Sequence, residues 1–170
     1  IARAVAGEMG LGPREAETAE IAGNLLNLGK ILIDRDLLTR SGELSEAERQ
    51  EVRHSLQAGA DLLRDVEFEG PVVETLRQAQ AHWDGSGIPE GLSGDDILVT
   101  ARIIAVANAF VGMVSPRAHR AALSVDQAVE QLLQQVGTRF DRSVVAAFVN
   151  WLDNRGGREE IAQPRAPAAG

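Results

Sequence analysis

Apolar residues in this chain recur at helical spacing, in short runs that glycine, proline and polar caps keep cutting off. That punctuation constrains the fold more than any other feature. Ile21, Ala22, Leu25 and Leu28 lie on one face of a helix. Alanine is frequent and β-branched runs are short, which favours helix throughout. Ser45 with Glu48, and Ser124 with Gln127, form capping boxes ahead of apolar-periodic stretches. Pro13 and Pro71 suit the first turn of a helix, and Gly29, Gly137 and Gly156 suit the end of one. The pattern predicts helices over 13–28, 46–63, 71–82, 95–114, 125–136 and 142–154. Asp95 or Asp96 is expected to cap the fourth of these and Asp141 the last. Residues 1–9 read as the end of an amphipathic helix, so the N-terminal helix is expected to be truncated. Residues 31–38, broken by Asp34 and Asp36, suit a strand or an irregular connection. Residues 83–94 hold four glycines and a proline and form a loop. The fold class is all-α, one domain of about seven helices over 1–156. From Gly157 on, Arg, Glu, Pro, Ala and Gly without apolar period predict a disordered tail or linker over 157–170.

Composition narrows the chemistry. Without cysteine there are no disulfides, no thiolate nucleophiles and no cysteine-ligated metal. The formal net charge of -8 disfavours a broad phosphate-binding surface, so no nucleic-acid partner is expected. No apolar run approaches the roughly 18 residues of a membrane span, and no signal-peptide pattern opens the chain. A cytoplasmic location is expected. Lys30 is the only lysine, beside sixteen arginines, and tyrosine is absent. The three histidines, His54, His82 and His119, are too few for a histidine-rich metal site.

The segment HWDGSGIPEGL at 82–92, followed by RIIAVAN at 102–108, is distinctive. With LLNLGKILI at 25–33, GADLL at 59–63, SPRAHR at 115–120 and GTRFDRSV at 137–144, it resembles the HD-GYP family. The resemblance runs in order over about residues 1–152. That family is a bacterial branch of the HD superfamily of metal-dependent phosphohydrolases. The resemblance implies the helical HD fold and, in intact members, hydrolysis of cyclic di-GMP.

The departures from the family pattern matter as much. Leu26 and Asn27 stand where the family has its His-Asp pair. The next metal histidine falls at Ser55, with His54 one residue out of register. The His-His-Glu triplet falls at Ala79, Gln80 and Ala81. The aspartate of the following helix falls at Asn108, and a further one at Val111. The GYP tyrosine is Ile88, and the tyrosine of the later arginine-rich segment is His119. The family's upstream histidine would fall before Ile1.

A two-metal hydrolase needs imidazoles and carboxylates converging on both cations. Leucine and alanine offer no lone pair, and neutral amides bind such metals poorly. These positions are therefore expected to carry no catalytic residue and no metal, and no cofactor is expected. Lys30 matches the family's phosphate-contacting lysine, or is a surface lysine favoured by a helix C-terminus. Arg117 and Arg120 match arginines near the nucleotide, or are solvated arginines. Asp84, Gly85, Gly87, Ile88 and Pro89 keep the family's interaction loop, or serve packing alone.

The expected function is a catalytically inactive signalling domain, a regulatory or protein-interaction module in cyclic di-GMP or two-component signalling. Its expected partners are receiver, sensor or diguanylate cyclase domains, with homodimerisation through exposed helices. One alternative is a metal-free cyclic di-GMP receptor resting on Lys30, Arg117 and Arg120. The weakest is a residual phosphodiesterase.

Overall fold

The computed structural model describes residues 1–34, 37, 45–116 and 121–162. Among these residues there are eight α-helices and no strand. They are α1 (Ala2–Glu8), α2 (Pro13–Leu25), α3 (Glu46–Leu62), α4 (Val72–Arg77), α5 (Val99–Val114), α6 (Val125–Gln134), α7 (Arg142–Asn154) and α8 (Gly157–Ala162). The all-α expectation holds. No helix is long and apolar enough to cross a membrane among the described residues.

The apolar α5 is the central element. Its Ile103, Val106 and Phe110 enter a first core, shared with Val5 of α1, Leu132 of α6 and Phe148 and Trp151 of α7. There Phe110 and Phe148 pack with ring centroids 4.8 Å apart at 56°, a tilted pairing that suits their quadrupoles. Ile104 faces the other way, into a second core with Ala22 and Leu26 from the α2 end and Val72 and Leu76 of α4. Ala101 joins Ala81 and Ile97 in a third, small cluster under the glycine-rich loop. Two polar groups buried where α4 meets α5 satisfy each other, Thr75 Oγ1 and Thr100 Oγ1 being 2.7 Å apart.

Both capping boxes form. Ser45 Oγ accepts from Glu48 N–H while Glu48 Oε2 accepts from Ser45 N–H. Ser124 and Gln127 make the same reciprocal pair. Ser124→Ala is expected to cost about 1 kcal/mol, read as a fall in the denaturant midpoint with an unchanged slope. Asp141 caps α7, its Oδ1 accepting from Ser143 N–H at 2.7 Å.

Four local readings need correction. The helix expected over 71–82 ends at Arg77. Gln78 leaves it to accept the N–H of Leu98 at 2.7 Å, and Ala81 turns into the third cluster. Neither Asp95 nor Asp96 caps α5. They lie in a 3-10 turn, and the cap position is Leu98, without a side-chain cap bond. Asp95 is drawn to Arg102 instead. Residues Leu28–Leu32 form a 3-10 helix, so that part of the connection is neither strand nor irregular. The tail expected from Gly157 does not hold over Gly157–Ala162, which form α8. Gly157 packs against Trp151, and Arg158 pairs with both Asp126 of α6 and Asp153 of α7 at 2.8 Å. Residues 163–170 lie outside the described residues.

Candidate functional site

The end of α2 and the middle of α5 enclose a cleft of about 250 Å³. Its lining includes Leu26, Asn27, Asn108 and Val111, so tertiary packing brings together three positions where the resemblance puts metal ligands and one where it puts a further aspartate. Leu26 is 5% exposed and belongs to the second core, so its side chain is packing material. Asn27 and Asn108 stand exposed at the cleft wall. The other aligned positions do not line it. Ser55, 4% exposed on α3, donates its hydroxyl to Val52 O at 2.7 Å. His54 beside it is exposed, as the roughly 100° step between helix neighbours requires. Ala79 packs against the second core, and Gln80 pairs across a single bridge with Ile88.

The donor set at these positions does not fit a pair of transition-metal ions. Leu26 and Ala79 have no lone pair, Asn27 and Asn108 are neutral, and the Ser55 hydroxyl is held by its own helix. Among the described residues no three His, Asp, Glu or Cys side chains are grouped around a common point. Lys30 is half-buried in the 3-10 helix and outside the cleft lining. Arg117, His119 and Arg120 lie outside the described residues.

The loop that follows is held by its backbone. Trp83 N–H donates to Arg139 O at 3.1 Å and Asp84 N–H to Thr138 O at 2.9 Å. Ile88 N–H donates to Gln80 O at 3.0 Å, and Asp84 Oδ1 accepts Ser86 N–H at 2.9 Å. The Ser86 hydroxyl, and then the Ser86 N–H of that turn, hold the exposed Asp84 carboxyl below its usual range. Gly87 is required by contact: a Cβ there would stand 2.3 Å from His82 N and 2.4 Å from Gln80 O. The Ile88–Pro89 peptide is cis. Asp84, Ser86, Ile88 and Pro89 remain exposed on the rim.

Underneath, Arg102 of α5 ties the loop to the start of α7. Its Nη1 donates to Asp141 Oδ2 at 2.8 Å and to Asp95 Oδ1 at 3.1 Å, and its Nε donates to Ile97 O at 2.9 Å. The guanidinium lies 5.5 Å from the centroid of a Trp83 ring. Sequence reading passed over Arg102 as part of RIIAVAN and took Asp141 only as a cap. The signal was the arginine itself, opening an otherwise apolar helix.

His82 begins the loop, with Nδ1 3.0 Å from Ser86 Oγ. Burial, and then the charge of Arg139, push its pKa below the usual imidazole value. The unfolded chain therefore binds a proton more readily. His82 contributes full stability above the unfolded pKa of about 6.5 and loses it as pH falls toward the lower folded value. His82→Gln is expected to flatten the acid-side fall in melting temperature. An unchanged slope between wild type and variant would refute this.

Comparisons with known proteins agree with this architecture. A family model described as HD domain matches residues 1–144. The cyclic di-GMP phosphodiesterase response regulator RpfG of Xanthomonas campestris pv. campestris is 33% identical over 165 residues, 96% of this chain and 42% of its own length. The 3'3'-cGAMP-specific phosphodiesterase 2 of Vibrio cholerae is 30% identical over 146 residues, 85% of this chain and 28% of its own. The chain thus spans less than half the length of these curated relatives. A crystal structure of a cyclic GMP-AMP specific phosphodiesterase from V. cholerae superposes with a TM-score of 0.71 at 19% identity, over 96% of this chain and 44% of that one. At that identity the likeness establishes the fold alone.

Proposed function

The chain belongs to the HD domain family, and on that premise we propose that it is a catalytically silent member. In this reading it acts as a regulatory or protein-interaction module in cyclic di-GMP or two-component signalling. One observation carries the reading: Leu26 is buried in the second core at a position aligned with a family metal ligand. A buried leucine there removes a ligand and stabilises the fold by roughly the 1.5–3 kcal/mol of an apolar side chain taken from water. The loop at 84–89, by contrast, is anchored through the backbone N–H groups of Asp84, Gly85 and Ile88 and has an exposed rim. The name of RpfG as a response regulator supports receiver-type partners.

The test is metal content and turnover of the purified chain. Manganese and iron well below one per chain are expected, with no linear product from cyclic di-GMP above a mock purification. Hydrolysis that travels with a co-purified metal would overturn the reading. The alternative, a metal-free cyclic di-GMP receptor, gains less support. The cleft is smaller than the roughly 300–1,000 Å³ of typical small-molecule pockets, and Lys30 does not line it.

A further inference from the structure

The connection from α3 to α4, residues 63–71, is fixed in place yet leaves part of its backbone unpaired. Phe68 packs against the second core, and Gly70 lies so close to α2 that a Cβ there would collide with the Thr18 hydroxyl. Arg14 of α2 donates its Nε–H to Glu69 O at 2.6 Å. Among the described residues, nothing accepts the N–H groups of Glu67, Phe68, Glu69 or Gly70. Two grooves flank this connection. One, of about 640 Å³, reaches the start of α5 at Leu98 and Val99. The other, of about 630 Å³, follows α4 and is lined by Val66 and Val73. Phe68, Gly70 and Pro71 line both, so the connection is the ridge between them.

Charge decides what such a surface accepts. Residues 61–77 hold five carboxylates against two arginines. Both arginines are engaged within the chain, Arg64 with Asp65 at 3.2 Å and Arg77 with Asp61 at 3.0 Å. Glu74 accepts from the Gln78 amide. Glu67 and Glu69 have no ion pair and no side-chain hydrogen bond among the described residues, and neither has Glu15, which lines the first groove beside Arg14.

We propose that the ridge at 66–71 and its two grooves dock a basic extended segment of a partner protein, one that alternates Lys or Arg with apolar side chains. The inference goes beyond the silent-enzyme reading and stands whether or not the chain turns over a nucleotide. An extended segment sends successive side chains to opposite faces. Its apolar residues enter the grooves while its cations meet Glu67 and Glu69. Its carbonyls accept the N–H groups that residues 67–70 leave open, the main-chain pairing from which docked extended peptides gain affinity. A helix would satisfy its own carbonyls and leave those N–H groups unmet. An acidic segment would meet unpaired carboxylates, and like charge keeps it out. The surface shares no lining residue with the α2–α5 cleft and no residue with the loop at 84–89.

The experiment is fluorescence anisotropy of two labelled peptides with the whole chain. One peptide alternates valine with lysine, the other valine with glutamate. The lysine peptide is expected to bind saturably and more weakly as salt rises, and the glutamate peptide not to bind. Glu67→Lys combined with Glu69→Lys should weaken the lysine peptide about tenfold, as two attractive pairs become repulsive. Glu90→Lys combined with Glu130→Lys changes the net charge equally on other exposed sites and should leave the affinity nearly unchanged. All four side chains are exposed, and unchanged melting temperatures verify folding. In the complex, hydrogen exchange at the amides of 67–70 should slow. No binding of the lysine peptide, equal weakening in both double variants, or unchanged exchange at 67–70 overturns the proposal. A dimer of the chain that Glu67→Lys with Glu69→Lys splits would make the occupant a second copy and overturn the assignment to a partner. None of these outcomes moves metal content or turnover, so a failure here leaves the catalytically silent reading standing.

Discussion

Arg102→Ala is expected to destabilise the fold by about 3–5 kcal/mol, the usual cost of leaving one partner of a buried ion pair alone. The Arg102 side chain is 15% exposed and that of Asp141 5%. With the guanidinium gone, Asp141 Oδ2 keeps its charge and loses its 2.8 Å donor. The carbonyl of Ile97 loses a donor as well, and the ring of Trp83 its cation. Arg102→Lys should recover only part of the loss, since one ammonium cannot reproduce three directed N–H bonds. Asp95→Ala should cost no more than about 1 kcal/mol, because its carboxylate is 92% exposed and already solvated. Asp141→Asn keeps an oxygen to cap α7, so a cycle with Arg102→Ala isolates the ion pair from the cap. The two losses should be clearly non-additive. A denaturant midpoint for Arg102→Ala within about 1 kcal/mol of wild type would show the pair to behave as a surface contact.

Gly29→Ala is expected to cost about 3 kcal/mol or more, at the severe end for overpacking. A Cβ at Gly29 would stand 1.6 Å from Ser55 O and 2.7 Å from Gly59 N. Both are backbone atoms of α3, so no side-chain rotation relieves the clash. The 3-10 helix carrying Lys30 would have to lift off α3. Gly7→Ala is the control. Nothing lies within 4 Å of a Cβ there, and the residue sits inside α1. It should stabilise by about 0.5–1 kcal/mol, as alanine does over glycine in a helix. Equal melting temperatures for the two variants would mean that the contact between Leu28–Leu32 and α3 contributes nothing.

Much of the helical framework was legible because its signals are local. The reciprocal bonds of Ser45 with Glu48 and of Ser124 with Gln127 span three residues. The apolar surplus of α5 pointed to a central element, and Phe110 and Ile103 are fully buried there. The readings that failed involved distant partners. Asp95 looks like a cap until Arg102, seven residues on, draws it away. Gln78 looks helical until Leu98, twenty residues on, takes its carbonyl. Gly157–Ala162 look like linker until Arg158 meets Asp126, thirty-two residues back.

The candidate site divides the same way. Motif order alone set which residues the resemblance puts at the family's ligand positions, and composition alone set what those residues can offer a metal. Leucine lacks a lone pair wherever it is placed. Only the tertiary structure decided what those residues became. Leu26 joined the second core, Ser55 turned its hydroxyl onto its own helix, and Asn27 and Asn108 were left facing one neutral cleft. Residue identity sets what a side chain can donate or accept. Burial and partners depend on contacts between segments far apart in the chain, and those exist only once the helices have packed.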